Sequence, residues 1–491
     1  MEIQGRFRIA LASVLAIIVV ATVVLIATGN GAVLPPSRAD SDESSTPTSI
    51  GGESSTDPTS APSVTDPTVS SDPTTSASSE EPTTMTSEVI ETTVPPMTGL
   101  YPNPSDPMEE GPFPVAVEFP GDGQHVSLLV GGDVLMHSYL INGGLQADGS
   151  YDYNYAFEHL KSLTAAVDFA YLNMEGTLAG APYSGFPLFS APDQLAEAIA
   201  GSGFDMAKTS NNHAIDKGTA GLDRTISVLR DQGLIVSGSR QSMDEPFYQL
   251  TDIGGIRIAF ATFTYETIRQ GGQRALNALI IPEDMTGRIN SFSMEEPYMS
   301  ADFARMGRLA KTMREAGADF VVFNIHWGTE YSSDENWYQQ TLSQILADNG
   351  TDLIIGNGPH VIQPIKEISS TTSDHKTLVY YSVGNLLSDQ LYGTADSAGR
   401  AEDGLLAEIH LERQADGQVR IQSAAYIPTY VYKVKTADTA SLNTIIPVRA
   451  ALADPAAYGV EAAIDLLQAS LTRTETVMGN NAVTSVPISG K

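Results

Sequence analysis

Between His125 and Ser388 the chain repeats one theme: an apolar run ends in polar residues and gives way to a stretch with helical spacing. HVSLLVGGDVLMH, DFAYLNMEGTL, GFDMAKTSNNH, GIRIAFATFTYE, DFVVFNIHWGTEY, TDLIIGNGPHVIQP and KTLVYYSVGNLLS carry the β-branched and aromatic residues of strands. AFEHLKSLTAAV, APDQLAEAIAGSG, GTAGLDRTISVLRDQG, MSADFARMGRLAKTMREAG and WYQQTLSQILADNG fall between them as helices. In the fourth of these, Phe303, Met306, Leu309 and Met313 share one apolar face, and Gly317 supplies a stop. Strands alternating with helices of this length predict βαβ units and an α/β fold around a largely parallel sheet. After about Arg400 the pattern changes to alternating runs around Asp416-Gly417, which predict antiparallel strands, then a closing helix and a polar tail.

In a parallel sheet the carboxyl ends of the strands share one edge, and sites are built there. Asp133, Glu175, Asn212, His213, His326 and His360 each follow an apolar run directly, so the sequence places them on a common rim. Singly, each has a plain structural explanation. Asp133 after two glycines suits a helix N-cap, and His326 beside Trp327 suits a half-buried imidazole. Together, two carboxylates, an Asn-His pair and two more imidazoles form a donor set for one or two divalent ions of the Mn, Fe, Zn or Mg type. The chain has no cysteine, which excludes disulfides, thiolate ligands and cysteine nucleophiles. His137, four residues after Asp133, comes within reach of it if a helix starts there. Trp327, Tyr331 and Tyr265 flank these motifs, either lining a cleft or packing in the core.

The remainder of the chain bears on location. Ile9 to Thr28 is an uninterrupted charge-free run, preceded by Arg6 and Arg8 and followed by polar and acidic residues. It is long enough to cross the roughly 30 Å hydrocarbon layer, and the positive-inside bias places everything after Thr28 outside the cell. A cleaved signal peptide is the rival reading. The run is longer than a typical signal core, and no clean A-x-A cleavage site closes it before the polar stretch, which favours an anchor over residues 1–28. Residues 29–120 are Ser, Thr, Pro, Asp and Glu in low-complexity order, the composition of a disordered linker. With 59 acidic against 27 basic residues the formal charge is −32, which argues against a nucleic-acid partner.

GGDVLMH, NMEGTL, SNNHAIDKG, HWGTEY, GNGPHVIQP and YSVGNLLS, in that order, resemble the poly-γ-glutamate capsule-synthesis (CapA) family across residues 125 to about 390. The resemblance implies a calcineurin-like metallophosphoesterase fold, an α/β/β/α sandwich. The domain is bounded at 121–447, with a C-terminal helix and tail over 448–491. Carried over residue by residue, the resemblance makes Asp133 the first metal carboxylate, Glu175 the bridging one, and Asn212, His326 and His360 further ligands. His213 is implied as the group that polarises or protonates a leaving group, with Asp216 orienting it or holding the turn. Family members usually carry His-Pro-His where this chain has Gly358-Pro359-His360, so one imidazole is lost and the number of ions is open.

Two functions compete at this point. One is a membrane-anchored extracellular protein that makes, exports or processes a poly-γ-glutamate-type polymer as a metal-dependent hydrolase, beside membrane-bound capsule synthesis proteins. The other is a non-catalytic scaffold or polymer-binding component of a cell-envelope assembly. An adhesion module on a stalk would leave the rim of donors unexplained.

Overall fold

A computed structural model of the chain describes residues 112–390, 400–479 and 488–491. The apolar run Ile9–Thr28 and nearly all of the acidic tract lie outside the described residues. Among the described residues, no helix is long and apolar enough to cross a membrane.

Two mixed sheets form the centre. From edge to edge the first runs Val117–Phe119, Gln249–Ile253, Ile256–Tyr265, Phe320–His326, Leu353–Asn357, Lys376–Tyr380 and Ile365–Ser369. Its middle strands pair in parallel, as the alternation of strand and helix predicts. The second runs Ala440–Pro447, Val419–Ala437, Asp403–Arg413, His125–Val134, Phe169–Met174, Met206–Lys208 and Ile235–Ser237. Here the parallel half is built from the early strands, and the predicted antiparallel strands after Arg400 extend it from the His125–Val134 edge.

Side-chain alternation along these strands sets the layers, because successive residues point to opposite faces. Val126, Leu128, Val130, Phe169 and Tyr171 face Ile256, Ile258, Phe260, Val322 and Ile355 of the other sheet in one buried cluster. Phe169 stacks on Phe260 at 5.4 Å between ring centroids. The intervening residues Leu129, Ala170, Leu172 and Ala207 face outward, against the helices Gln194–Gly201 and Gly218–Asp231. Ala261, Phe263, Val321, Phe323 and Ile354 pack in the same way against the helices Tyr298–Glu315 and Trp337–Asp348. Phe303, Met306, Leu309 and Met313 are all in that cluster. The described residues therefore form four layers, helices on either side of two facing sheets.

Three local differences from the sequence expectation have structural causes. The strand Val117–Phe119, inside the stretch assigned by composition to the linker, pairs with Gln249–Ile253. The single helix expected over AFEHLKSLTAAV is a series of short turns, Asn154–Phe157, Glu158–Leu160 and Lys161–Thr164. At the end of the last of them the Thr164 hydroxyl donates to the Ser202 carbonyl at 2.6 Å. A three-stranded sheet, Thr267–Gln270, Gln273–Leu276 and Leu279–Ile280, follows the Ile256–Tyr265 strand, and its tip residues Asn277 and Ala278 have φ of 45° and 60°.

Candidate metal centre

Asp133 owes its position to the two glycines before it. The pairing between His125–Val134 and Phe169–Met174 shifts register between Val130 and Asp133, which brings Asp133 level with Asn173. A Cβ on Gly132 would lie 2.0 Å from the Gly384 carbonyl oxygen, so only glycine lets the Asn385–Leu387 strand approach. Asp133 Oδ1 then accepts from Asn173 Nδ2 and Asn357 Nδ2, both at 2.7 Å, and Oδ2 accepts from the Gly358 amide at 3.2 Å. One oxygen is saturated by amides, and the other faces His360 Nδ1 at 3.5 Å.

Glu175 follows Met174 at the end of its strand and is buried with both carboxylate oxygens lacking any hydrogen-bond partner. His326 Nε2 lies 3.5 Å from Glu175 Oε1, and His360 Nε2 lies 3.9 Å from it. Ligand atoms of Asp133, Glu175 and His360 all fall within 4.8 Å of one another.

The tautomer of His360 follows from its neighbour. Asn385 Nδ2 donates to the Ala401 carbonyl at 2.9 Å and to Gln390 Oε1 at 2.8 Å, which turns Asn385 Oδ1 toward His360 Nδ1, 3.1 Å away. Nδ1 of His360 therefore carries a hydrogen, which leaves Nε2, 3.9 Å from Glu175 Oε1, as the ring atom that would meet an ion. His360 has a left-handed φ of 59°, as does Tyr331 at 62°, and their rings lie 5.9 Å apart. Such backbone strain costs on the order of 1–3 kcal/mol and is found where a site holds it in place. The Tyr331 amide donates to the Pro359 carbonyl at 2.8 Å, tying the two strained segments together.

The run Asn211-Asn212-His213 divides its labour. Asn211 is used up structurally: Nδ2 donates to the Met174 carbonyl at 2.8 Å, and Oδ1 accepts from the His213 amide at 3.1 Å. Asn212 Oδ1 is buried with no partner. His213 Nδ1 lies 2.8 Å from Asp216 Oδ2, which also accepts from the Phe189 amide at 2.7 Å. The ring packs edge-on against Phe189 at 4.7 Å. Asn277, at the tip of the small sheet, donates to Asp216 Oδ1 at 3.3 Å and lies 3.2 Å from His213 Nδ1. Asp216 therefore both holds the turn and faces the imidazole.

Charge in the cluster is uneven. Burial pushes Asp133 up, but His360 and the other imidazole outweigh it and hold the carboxyl below its usual range. Burial works against the His360 charge, yet Glu175 and Asp133 lift it to about 10. Burial drives Glu175 well above the ordinary carboxylate range and drives His326 down to about 3. These are the marks of a pocket short of positive charge.

Several residues lie outside what strand-end reasoning found. Asn173, Asn357 and Asn385 orient Asp133 and His360, and each was visible as an asparagine inside a quoted motif. Lys208, the last residue of the Met206–Lys208 strand, is 1% exposed, and its Nζ donates to Asn357 Oδ1. Burial lowers its ammonium to about 7, with Asp133 pulling the other way. His137 does not join the cluster: its Nδ1 accepts from the Asp389 amide at 3.3 Å, and burial lowers it to about 4. Trp327 is core, its Nε1 donating to the Tyr381 carbonyl at 2.9 Å, whereas Tyr265 stacks on His326 at 6.1 Å. A cavity of about 740 Å³ opens at the opposite ends of the strands beside Asp352 and His375, where Arg314 and Lys376 are paired with Asp352 and Glu367.

The fit to a cation rests on the orphaned atoms. Three buried oxygens without hydrogen bonds, two on Glu175 and one on Asn212, sit on the same rim as His326, whose Nδ1 lies 3.4 Å from Asn173 Nδ2, and His360. Such atoms are costly unless something positive satisfies them, and an oxygen and imidazole set suits a divalent ion.

Comparison with known proteins gives the same region. The family described as bacterial capsule synthesis protein PGA_cap matches residues 127–390. The PGA biosynthesis protein CapA of Bacillus subtilis (strain 168) is 26% identical over 220 residues, 44% of this chain and 50% of that protein. The capsule biosynthesis protein CapA of Bacillus anthracis is 24% identical over 299 residues, 59% of this chain and 65% of that protein. The chain thus spans between half and two thirds of the curated relatives it matches. Among solved structures, the NAD nucleotidase of Haemophilus influenzae aligns over 74% of this chain and 64% of its own at 14% identity, with a TM-score of 0.37.

Proposed function

The chain belongs to the bacterial capsule synthesis protein family, and from that premise we propose that it processes a poly-γ-glutamate-type surface polymer through a divalent-cation centre in a metallophosphoesterase-like sandwich. Asp133, Glu175 and His360 would hold the ion, with His326 and Asn212 completing the donor set. The observation that carries this reading is Glu175, a buried carboxylate at the strand-end rim with neither oxygen hydrogen-bonded. A divalent ion bound there supplies Lewis acidity toward a phosphoryl or carbonyl oxygen.

The protein's own groups supply the proton chemistry. Asp216 takes the Nδ1 hydrogen of His213, which leaves Nε2 as the atom that exchanges a proton with a leaving group. Asn277 and the Phe189 amide keep the Asp216 carboxylate from turning. A chain of formal charge −32 repels a polyanion, so attraction to an acidic polymer has to come from a local cation. The ion would therefore serve binding as well as chemistry. We place the domain outside the cell, anchored by Ile9–Thr28 and spaced from the membrane by the acidic tract.

Metal analysis of the purified chain tests the centre. The expected result is a stoichiometric divalent ion that is lost in Asp133→Asn and in His360→Ala. Wild-type protein that takes up no divalent ion on titration with Mn²⁺, Zn²⁺ or Mg²⁺ sinks the proposal.

A further inference from the structure

Lys208 has no part in the donor set, yet it is buried behind it. Its ammonium donates to Asn357 Oδ1 and lies over the Tyr171 ring at 5.6 Å from the centroid. Asn357 in turn donates Nδ2 to Asp133 Oδ1 at 2.7 Å, so a single carboxamide separates the ammonium from the carboxylate. Lys208 comes from one sheet and Asn357 from the other, so the contact is a product of the sandwich. An ammonium in such surroundings is expensive to bury, and a packed apolar residue would cost less. The charge acts on the centre and is acted on by it: Asp133 raises the Lys208 ammonium, and Lys208 depresses His326.

The second ion position is correspondingly poor. Once Asp133, Glu175 and His360 are assigned to one ion, His326, Asn212 and a shared Glu175 remain for another. Gly358 adds no donor, and it has no room for one. A Cβ there would lie 2.6 Å from the Trp327 carbonyl oxygen and 3.1 Å from His326 Nε2, on a backbone with φ of 104°. Two carboxylates and one ammonium with one divalent ion leave a small net charge in this buried pocket. A second ion would leave a large uncompensated positive one.

We propose that Lys208 supplies the second positive charge of the centre and that the site consequently takes a single divalent ion. This rests on the metal centre proposed above and adds its stoichiometry and the residue that limits it. Lys208 acts through Asn357 and through its field, and touches no substrate.

The test is a calorimetric titration of the full chain with Mn²⁺ at slightly acid pH, with bound metal counted independently. Wild type should take one ion. Lys208→Gln, which keeps a donor for Asn357 but removes the charge, should bind it more tightly, by about tenfold or more. Lys208→Met should bind more tightly as well, and its thermal melt reports whether the core has held. If Lys208 served only to position Asn357, removing it would weaken ion binding, the opposite sign. Unchanged or weaker binding by Lys208→Gln overturns the proposal, as do two ions in wild type, and both leave the metal centre standing. No ion in wild type removes the centre itself, which separates the two failures.

Discussion

Glu175 is where the demands of the fold and those of the site conflict. Its carboxylate is buried without a hydrogen bond, and burial raises its pKa well above the ordinary value of 4.5. A carboxyl raised in the folded state favours folding below its unfolded pKa, and that advantage is lost as pH rises. Stripped of metal, Glu175→Gln should therefore be more stable than wild type by about 1–3 kcal/mol near neutral pH. The gap should close toward acid, where both side chains are neutral. Part of what lifts His360 to about 10 is Glu175 itself, so Glu175→Gln also gives up some of the stability that His360 contributes below its unfolded value and loses as pH rises through about 10, which narrows the gap. Thermal melts in chelator across pH check the difference, and a Glu175→Gln that is less stable at every pH contradicts it. The carboxylates and imidazoles were legible because a polar residue ending an apolar run stands out in one dimension. Lys208, Asn173 and Asn357 were not, because their roles are contacts between strands far apart in sequence, and in the sequence a lysine ending a strand is indistinguishable from a solvated one.

At the scale of elements, the period-2 alternation of the strands carried most of the architecture. Phe260 and Ala261 could be assigned to opposite faces because they are neighbours on one strand, and they fall in different clusters. Turns were less legible. The small sheet from Thr267 to Ile280 rests on Gly271 and Gly272 and on left-handed Asn277 and Ala278, and nothing in its composition indicates that its tip reaches His213. The Gly358 turn shows why sequence alone left the ion count open. The missing imidazole is a matter of chemistry, but the closed space around Gly358 is a matter of packing by Trp327 and His326. Gly358→Ala should therefore cost about 2 kcal/mol or more, since the new methyl meets a carbonyl and φ is left-handed. Urea denaturation of the metal-free chain should show a lower midpoint with an unchanged slope. An unaltered midpoint would mean that the turn can open, and with it a second ion position.

For the whole molecule, the proposed action on an acidic polymer raises the question of how so acidic a chain would engage it. Binding by general charge is unfavourable at −32, and screening at physiological salt confines the repulsion to about 8 Å without reversing it. Contact then depends on proximity and on one local cation, and proximity is what an anchor and a long acidic spacer would supply. Residues 29–120 are rich in prolines and acidic residues, a composition that would suit an extended spacer. The arrangement predicts a specific fragmentation. Intact cells carrying the full chain and treated with external protease should release a fragment that contains the sandwich. Cleavage should fall in the Ser/Thr/Pro tract, because the paired strands resist cutting while an unfolded segment does not. Without protease, the full chain should stay with the membrane through an alkaline carbonate wash. A chain that is cut only after the cells are lysed would place the sandwich inside the cell and defeat the extracellular reading. A fragment shed without protease would replace the anchor with a cleaved signal peptide and leave the metal centre untouched.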